Sequence, residues 1–177
     1  AIVYRDSINY DKDLPEFQTL NGTIINQSKG VSESNPLMWI NALNIVFDRA
    51  KRKTIFLPKI RSISVSGQQH GLVSLTEDGK LAKPTSKLWN DFSTQTECEL
   101  LDVGIGGTDK MIEAIGNSQK TGYSASKIFH MFRNEIDYFN ATNSFLLVHN
   151  YINWYLTGGV KIMEDGDASG TGLWDPI

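Results

Sequence analysis

Cysteine is nearly absent from this sequence: Cys98 is the single example in 177 residues, so no internal disulfide can form. A reducing compartment suits such a chain, and we expect it to be cytoplasmic. Long hydrophobic runs are also missing, since none approaches the ~18 apolar residues that indicate a membrane span. We therefore expect neither a secretory leader nor a membrane partner.

An excess of positive charge is lacking as well. The 17 basic residues are outnumbered by 20 acidic ones, which gives a net charge of −3 and a pI near 5.6. Proteins that bind nucleic acids usually carry a basic stripe that contacts phosphates, so we expect no nucleic-acid partner. The composition that remains is that of a globular protein, 40% hydrophobic and 21% charged, in a chain long enough to bury a core without metal or disulfide.

Helical patterns and short strand-like runs both occur along the chain, which is typical of an α/β domain. A helix is predicted to begin at Pro36, because Asn35 can cap it and proline suits the first helical position. The apolar face of this helix is predicted to hold Leu37, Trp39, Ile40, Leu43, Val46 and Phe47. Further helices are predicted from Thr94 to Gly104 with Glu97 completing a capping box, and over Thr108–Ile115, 124–135 and Val148–Leu156. Strands are predicted over 60–65, over 72–75 as its partner, and over 87–90.

Hydrogen-bonding side chains are concentrated in residues 66–71, which read Ser-Gly-Gln-Gln-His-Gly at the end of a predicted strand. The two glycines let the backbone turn and let a ligand approach it closely. Gln68, Gln69 and His70 offer both donors and acceptors, a set that suits neutral hydroxyl groups better than a charged ligand. A plain polar turn is the alternative interpretation of the same residues.

A second polar segment follows the predicted strand at 87–90. Trp89 has an aromatic face on which a sugar ring can pack, and Asn90 and Asp91 can bind hydroxyl groups. The alternative is a tryptophan in the core followed by two residues that lead into a helix.

Metal-binding patterns are weak in this sequence. Residues 165–170 read Asp-Gly-Asp-Ala-Ser-Gly, like the start of a calcium loop, but Pro176 stands at the twelfth position, where a bidentate Glu is needed. His70, His130 and His149 lack the spacing of zinc ligands. We therefore predict no metal ligand in the chain.

Seven segments, taken together and in order, resemble the N-terminal half of FGGY-type carbohydrate kinases, most closely the xylulokinases among them. They are residues 11–16, 36–39, 66–71, 87–91, 122–128 with 133–134, 151–158 and 167–172. The resemblance implies an actin-like (ribonuclease H-like) α/β fold, with a mixed sheet flanked by helices in each of two domains that close on ATP and sugar. One departure is His130, which stands where the signature helix of the family usually carries a tryptophan.

What the resemblance implies about activity is phosphoryl transfer from ATP, with Mg²⁺, to a primary hydroxyl of a ketose, here D-xylulose giving D-xylulose 5-phosphate. Gln69 and His70 are the first candidates for contacts to the sugar, Trp89, Asn90 and Asp91 the second, and Gln68 braces the turn. The loop 167–172 is expected to help pack the floor of the cleft. The family's catalytic base is expected beyond Ile177, so no catalytic residue is assigned within the chain.

The same resemblance implies that residues 1–177 are part of the N-terminal, sugar-binding domain of a two-domain kinase, incomplete at both ends. The phosphate-loop strand and the C-terminal nucleotide domain are expected outside this sequence, so we expect the fragment alone to be inactive and to bind no ATP or Mg²⁺. A small-molecule sugar is the predicted partner, and the full-length parent could form a homodimer. The alternatives are a non-catalytic sugar-binding module and a kinase of the same family for ribulose, gluconate or glycerol.

Overall fold

The computed structural model describes residues 2–53 and 57–174. The described residues combine α-helices with short strands, as the sequence predicts. The helices are α1 (Tyr10–Asp13), α2 (Pro36–Arg52), α3 (Gln95–Ile105), α4 (Thr108–Ile115), α5 (Ser124–Asn134), α6 (Ile136–Ala141), α7 (Val148–Leu156) and α8 (Asp165–Ser169). The strands are β1 (Thr19–Leu20), β2 (Thr23–Ile24), β3 (Glu33–Ser34), β4 (Val73–Leu75), β5 (Ser86–Lys87) and β6 (Ser144–Leu146).

The strands pair in three two-stranded sheets, and each described pair is antiparallel. β1 pairs with β2, β3 with β5, and β4 with β6. β4 lies at the centre, since single bridges from Leu72 to Lys87 and from Leu75 to Leu81 cover its other side. The strand β4 therefore has neighbours on both edges.

The prediction of a strand at residues 60–65, paired with 72–75, is wrong. Residues 60–65 have no strand pairing, and Ile60 and Ile63 are 45% and 58% exposed. The physical reason is that both edges of β4 are already covered by β6 and by the bridged residues, so a strand at 60–65 has no edge to pair with. The predicted strand at 87–90 is likewise shorter, because β5 ends at Lys87.

The helix α2 begins as predicted. The Asn35 side chain accepts a hydrogen bond from the Leu37 amide at 2.9 Å, and Pro36 occupies the first turn. Trp39 and Ile40 are buried, whereas Leu37 is 48% exposed and does not belong to the buried face. With 17 residues α2 is the longest described helix, and no helix in the described ranges is both long and apolar enough to cross a bilayer.

The predicted capping box at the start of α3 is wrong. Thr94 occupies the capping position, but its fully buried hydroxyl hydrogen-bonds the hydroxyl of Ser126 at 3.0 Å and makes no cap bond to the helix. Glu97 accepts a hydrogen bond from Arg133 at 2.6 Å instead. Tertiary partners thus outcompete the local cap. The helix continues past the predicted stop at Gly104 and ends at Ile105, followed by the C-cap Gly106, whose φ of 96° is left-handed.

The core lies between α2, α7 and the β4–β6 pair. Its members are buried apolar side chains from these elements, among them Met38, Trp39, Val73, Leu146 and Tyr151. Packing of α7 on this core fixes the direction in which the polar residues of its first turn point. Those residues reappear in the cleft described below.

A buried ion cluster joins β3 to the start of α6. Lys83 is 6% exposed and its ammonium lies 3.1 Å from Glu33 Oε1 and 2.7 Å from Glu135 Oε1. The Glu33 carboxylate also accepts from Thr85. Because each charge has a close opposite partner, burial of the cluster is compensated.

Replacing Trp39 by alanine tests the core assignment. Trp39 is 7% exposed and belongs to the core, so Trp39→Ala should reduce the free energy of unfolding by about 3–5 kcal/mol. Leu37→Ala on the same helix should change it by no more than about 0.5 kcal/mol. Guanidinium unfolding of the intact polypeptide measures both, and equal effects of the two substitutions would contradict this assignment.

Candidate functional site

A polar cleft opens beside residues 65–69, between that segment and the first turns of α7 and α8. Its volume is about 380 Å³, within the ~300–1,000 Å³ range of small-molecule sites. The side chains that supply hydrogen-bonding groups to its wall are Gln69, His149, Asn150, Asn153, Glu164 and Asp167.

Asp167 is the centre of the hydrogen bonding in this cleft. Its Oδ1 accepts from Gln69 Nε2 at 3.1 Å, and its Oδ2 lies 2.5 Å from His149 Nε2 and 3.4 Å from Asn150 Nδ2. The residue is 7% exposed. The carboxylate therefore joins the segment 66–71 to the first turn of α7.

The hydrogen bonds decide the ionisation of Asp167. Burial alone would raise the pKa of its carboxyl, but the bonds from His149 and Gln69, with the charge of His149 and the Asn150 amide, outweigh burial and lower it. Asp167 is thus an anion at neutral pH, and its acceptor positions are largely occupied by protein donors.

Glu164 is the second carboxylate in the cleft wall. Its Oε1 accepts a hydrogen bond from the Asp167 amide at 2.6 Å, which caps α8. Its Oε2 makes no hydrogen bond to any described residue, and the residue as a whole is exposed. Glu164 therefore keeps acceptor capacity that Asp167 has used.

His70 has an unusual backbone, with a φ of 62° in the left-handed region. Its ring stacks on Tyr123, with centroids 4.6 Å apart, and the buried Nδ1 has no hydrogen-bond partner within the described ranges. Burial, and then the positive charge of Lys127, lowers the pKa of His70, so the imidazole is neutral at pH 7. A neutral ring can donate or accept.

Gln68 points to a different space from Gln69. It lines a neighbouring, mainly apolar cavity of about 320 Å³ together with Trp39 and Val148. Val65, Ser66 and Gly67 line both spaces. The structure therefore places Gln68 behind the turn, a position compatible with the bracing role expected for it.

The second predicted segment does not meet Gln69 in the cleft. Asp91 is fully buried, with Oδ2 accepting from the Ser32 amide at 2.8 Å and Oδ1 from the Ser93 hydroxyl at 2.6 Å. Asn90 Oδ1 accepts from the Ser32 hydroxyl at 2.8 Å. Trp89 is 58% exposed, and none of these three predicted residues lines the cleft.

The charge of Asp91 is satisfied within the protein. Burial would raise the pKa of its carboxyl, but hydrogen bonds from Ser93 and Ser32 and the positive charge of Lys87 hold it below its usual value. Its oxygens are occupied by neighbouring residues, so Asp91 holds the segment 87–93 against residue 32.

Sequence reasoning missed most of the polar wall. Asp167 was expected only to help pack the cleft floor, and Glu164, His149, Asn150 and Asn153 were not singled out. The one available signal was the unusual density of acidic residues and glycines at 164–170. Side chains of α7 give no local signal, because their convergence on Asp167 depends on how the helix packs.

Metal ligands are not grouped in this site. Across residues 2–53 and 57–174, no three His, Cys, Asp or Glu side chains converge closely enough to hold a metal ion. The described residues therefore form no metal site with three such ligands.

Comparison with known proteins identifies the family. Residues 7–176 match the sequence pattern of the N-terminal domain of the FGGY family of carbohydrate kinases. The chain belongs to this family. Its ordered segments 66–71, 87–91 and 122–134 lie within the match, so the expected family and the expected actin-like fold class are confirmed.

Individual relatives of this FGGY chain agree with the family match. A xylulose kinase from Haemophilus influenzae is 40% identical over 160 residues, which cover 87% of this chain and 32% of that protein. The crystal structure of a xyloylose kinase from Brucella ovis superposes with a TM-score of 0.72 at 32% identity, covering 83% of this chain and 29% of the other.

A gluconate kinase from Lactobacillus acidophilus shares the same fold, with a TM-score of 0.72 at 22% identity over 85% of this chain and 30% of the other. This FGGY chain spans about a third of the length of the curated relatives it matches. Its membership of the FGGY carbohydrate kinase family rests on the match over residues 7–176.

The Asp167 cluster predicts a pH-dependent stability. A carboxyl whose pKa is lowered by folding stabilises the protein above its unfolded pKa, near 4, and loses that contribution as pH falls through the folded value. Asp167→Asn should therefore cost about 1–3 kcal/mol at pH 7 and progressively less below about pH 4. Thermal unfolding of the intact polypeptide between pH 3 and 8 measures the difference.

The matched control is Asp165→Asn, which removes an exposed carboxylate from the same helix. Its curve should parallel that of the wild type. A gap between Asp167→Asn and wild type that stays constant at all pH values would contradict the assigned ionisation.

Proposed function

We propose that this chain supplies the sugar-binding part of an ATP-dependent ketose kinase that converts D-xylulose to D-xylulose 5-phosphate. The observation that carries the proposal is the cleft in which Gln69, Asp167 and His149 are linked by hydrogen bonds. Family membership and 40% identity to a xylulose kinase support the reaction class and the choice of sugar. Residues 1–177 are accordingly part of the N-terminal domain of a two-domain kinase.

The cleft suits a polyol better than an anion. Two carboxylates, Glu164 and Asp167, line it, and none of the described lysines or arginines does. Negative charge in the wall disfavours an anionic ligand and favours hydroxyl groups, which can donate to carboxylate and amide oxygens. Gln69 keeps its carbonyl oxygen for such a donor because its amide nitrogen is the atom bonded to Asp167.

Of the residues expected to contact sugar, Gln69 is the one that lines the cleft directly. His70 contributes a neutral ring whose orientation is held by Tyr123. Gln68 supports the turn from behind, and Asp91 with Asn90 supports the neighbouring segment. Trp89 is 58% exposed, so its aromatic ring remains accessible to a ligand.

Glu164 is the carboxylate we assign as the candidate acceptor for the proton of the reacting hydroxyl. When the sugar oxygen bonds to the γ-phosphorus of ATP, the bond from that phosphorus to the bridging oxygen breaks and ADP leaves. The O–H bond of the sugar breaks as well, and Glu164 Oε2 can take the proton. Asp167 is less suited, since its oxygens already accept from Gln69, His149 and Asn150. This assignment competes with the sequence-based expectation that the base lies beyond Ile177.

ATP is the phosphoryl donor that membership in the family implies, and Mg²⁺ would neutralise charge on its phosphates. No three metal-ligating side chains converge within the described ranges, and we assign the sites of both groups to other parts of the intact polypeptide. Residues 1–177 alone are then inactive, as expected from the sequence. A small-molecule sugar is the partner, and a homodimer of the parent remains part of the proposal.

A coupled ADP-release assay on the intact polypeptide tests the function. D-xylulose should be turned over with a kcat/KM at least about tenfold above that for ribulose, gluconate or glycerol. A preference for ribulose, gluconate or glycerol would support the kinase assignment and overturn the choice of D-xylulose as substrate. Absence of turnover with every sugar, from folded protein, would favour the non-catalytic sugar-binding module.

Glu164→Gln separates proton transfer from structure. The glutamine keeps a carbonyl oxygen for the Asp167 amide, so α8 stays capped, but it cannot take a proton. The kcat for D-xylulose should fall by about 10²–10⁴-fold with little change in thermal stability. Asp165→Asn is again the control. An unchanged kcat in Glu164→Gln would contradict the assignment of Glu164 and favour a base that lies beyond Ile177.

A further inference from the structure

Lys127, in the first turn of α5, is the largest fully buried side chain of the described residues, at 1% exposure. A lysine is almost never buried to this degree without an ionic partner, because the ammonium loses its hydration. Yet no carboxylate within the described ranges lies at ion-pair distance from its Nζ. The chain therefore keeps a costly charge at this position for a reason other than a salt bridge.

The partners of Lys127 are backbone carbonyls of the two polar segments. Its Nζ donates a short hydrogen bond to the carbonyl oxygen of His70 and a longer one, at 3.4 Å, to that of Lys87. One side chain thus bridges the segment 66–71, which contains Gln69, and the segment 87–91. No backbone hydrogen bond of the described structure joins His70 itself to that second segment.

The His70 bond acts where the backbone is least favourable. A φ of 62° is uncommon for a residue with a side chain, and such conformations persist only where surrounding contacts hold them. Tyr123, just before α5, stacks on the His70 ring, while Lys127, one turn later, holds the His70 carbonyl. The N-terminal end of α5 therefore contacts both the ring and the backbone carbonyl of His70.

The start of α5 also contacts the other segments around the site. The Ala125 amide donates to the Thr171 carbonyl at 2.9 Å, directly after α8. A side chain at Gly122, whose φ is 87°, would lie 2.3 Å from the Trp89 carbonyl oxygen. The backbone at the entry to α5 thus packs directly against the segment 87–91.

Charges near Lys127 are mixed. Burial lowers the pKa of its ammonium to about 7, with Asp91 opposing that shift and Lys87 adding to it. Lys127 in turn lowers the pKa of His70. Lys127 can donate to carbonyl oxygens whether or not it is protonated, since both the ammonium and the neutral amine carry N–H groups.

We propose that Lys127 is a positioning residue for the sugar site, which holds the His70 turn against the segment 87–91 so that Gln69 reaches the cleft. The expected effect of Lys127 on sugar kinetics rests on the proposed sugar-kinase function. Its structural consequence is independent of any substrate, because the turn should loosen whether or not a sugar is present.

Lys127→Met in the intact polypeptide tests the proposal, since methionine fills a similar volume without a donor. The KM for D-xylulose should rise about tenfold or more, the loss expected when charge-assisted hydrogen bonds that hold a site are removed. The kcat should stay within about twofold, because Lys127 does not touch the reacting atoms. Lys127→Arg, which keeps donors, should restore part of the affinity.

The matched control is Lys83→Met, which removes another buried lysine whose partners are Glu33 and Glu135. It should lower the melting temperature but leave KM unchanged. An unchanged KM in Lys127→Met, or an equal rise in both variants, would overturn the proposal. Should Lys127→Met fail to fold, Lys127→Leu, which also lacks a donor, takes its place under the same criteria.

Amide hydrogen exchange gives a readout that needs no sugar. The Gly71 amide donates to the Gln69 carbonyl at 2.9 Å, and the Leu72 amide to the Lys87 carbonyl at 3.1 Å. Both should exchange faster in Lys127→Met and at the wild-type rate in Lys83→Met. If no sugar is turned over by the wild type, the proposed function fails, while equal exchange in the two variants would overturn the role of Lys127.

Discussion

The buried carboxylate of Asp167 is the interaction on which the arrangement of the cleft depends. A charge this deeply buried is tolerable only with several donors, and the donors come from residue 69 and from the first turn of α7. These hydrogen bonds offset the cost of burying the charge, and they also fix the orientation of each donor in the cleft wall. Glu164, which caps the same helix, is held in place by the adjacent amide. The site is therefore assembled around an anion that itself has little capacity left for a ligand.

The sequence predicts the elements of this fold better than their pairing. Helices with clear local signals, such as Thr108–Ile115 and Val148–Leu156, appear with the predicted bounds. The strand predicted at 60–65 fails because apolar alternation says nothing about whether a partner edge is free. The capping box at Thr94 fails for a related reason, since Ser126 and Arg133, both more than thirty residues away, compete for its two side chains. Local patterns are reliable where no distant partner competes.

In the candidate site, too, local sequence signals can be read and contacts between distant residues cannot. Gln69 and His70 could be found because glycines and hydrogen-bonding residues are adjacent in the sequence. His149, Asn150 and Asp167 could not, since their relation arises from the packing of α7 on the core and the fold of the chain after it. Asn90 and Asp91 differ from Gln69, because oxygens of both side chains accept hydrogen bonds from Ser32. A hydrogen-bonding side chain near a site can serve the ligand or the backbone, and sequence alone does not distinguish the two.

That distinction bears on how one fold accommodates different sugars. A gluconate kinase shares the backbone of this chain at a TM-score of 0.72, although only 22% of residues are identical. A shared backbone does not by itself select a ligand, so under the proposed function selection would rest on cleft side chains. The buried bonds of Asp91 and Lys127 have a separate task, because they hold the two polar segments in place independently of any ligand. Under the proposed function, substitution of Asn153, which lines the cleft, can alter the ligand without disturbing the frame. Loss of Gln69, which donates to the buried Asp167, affects every ligand alike.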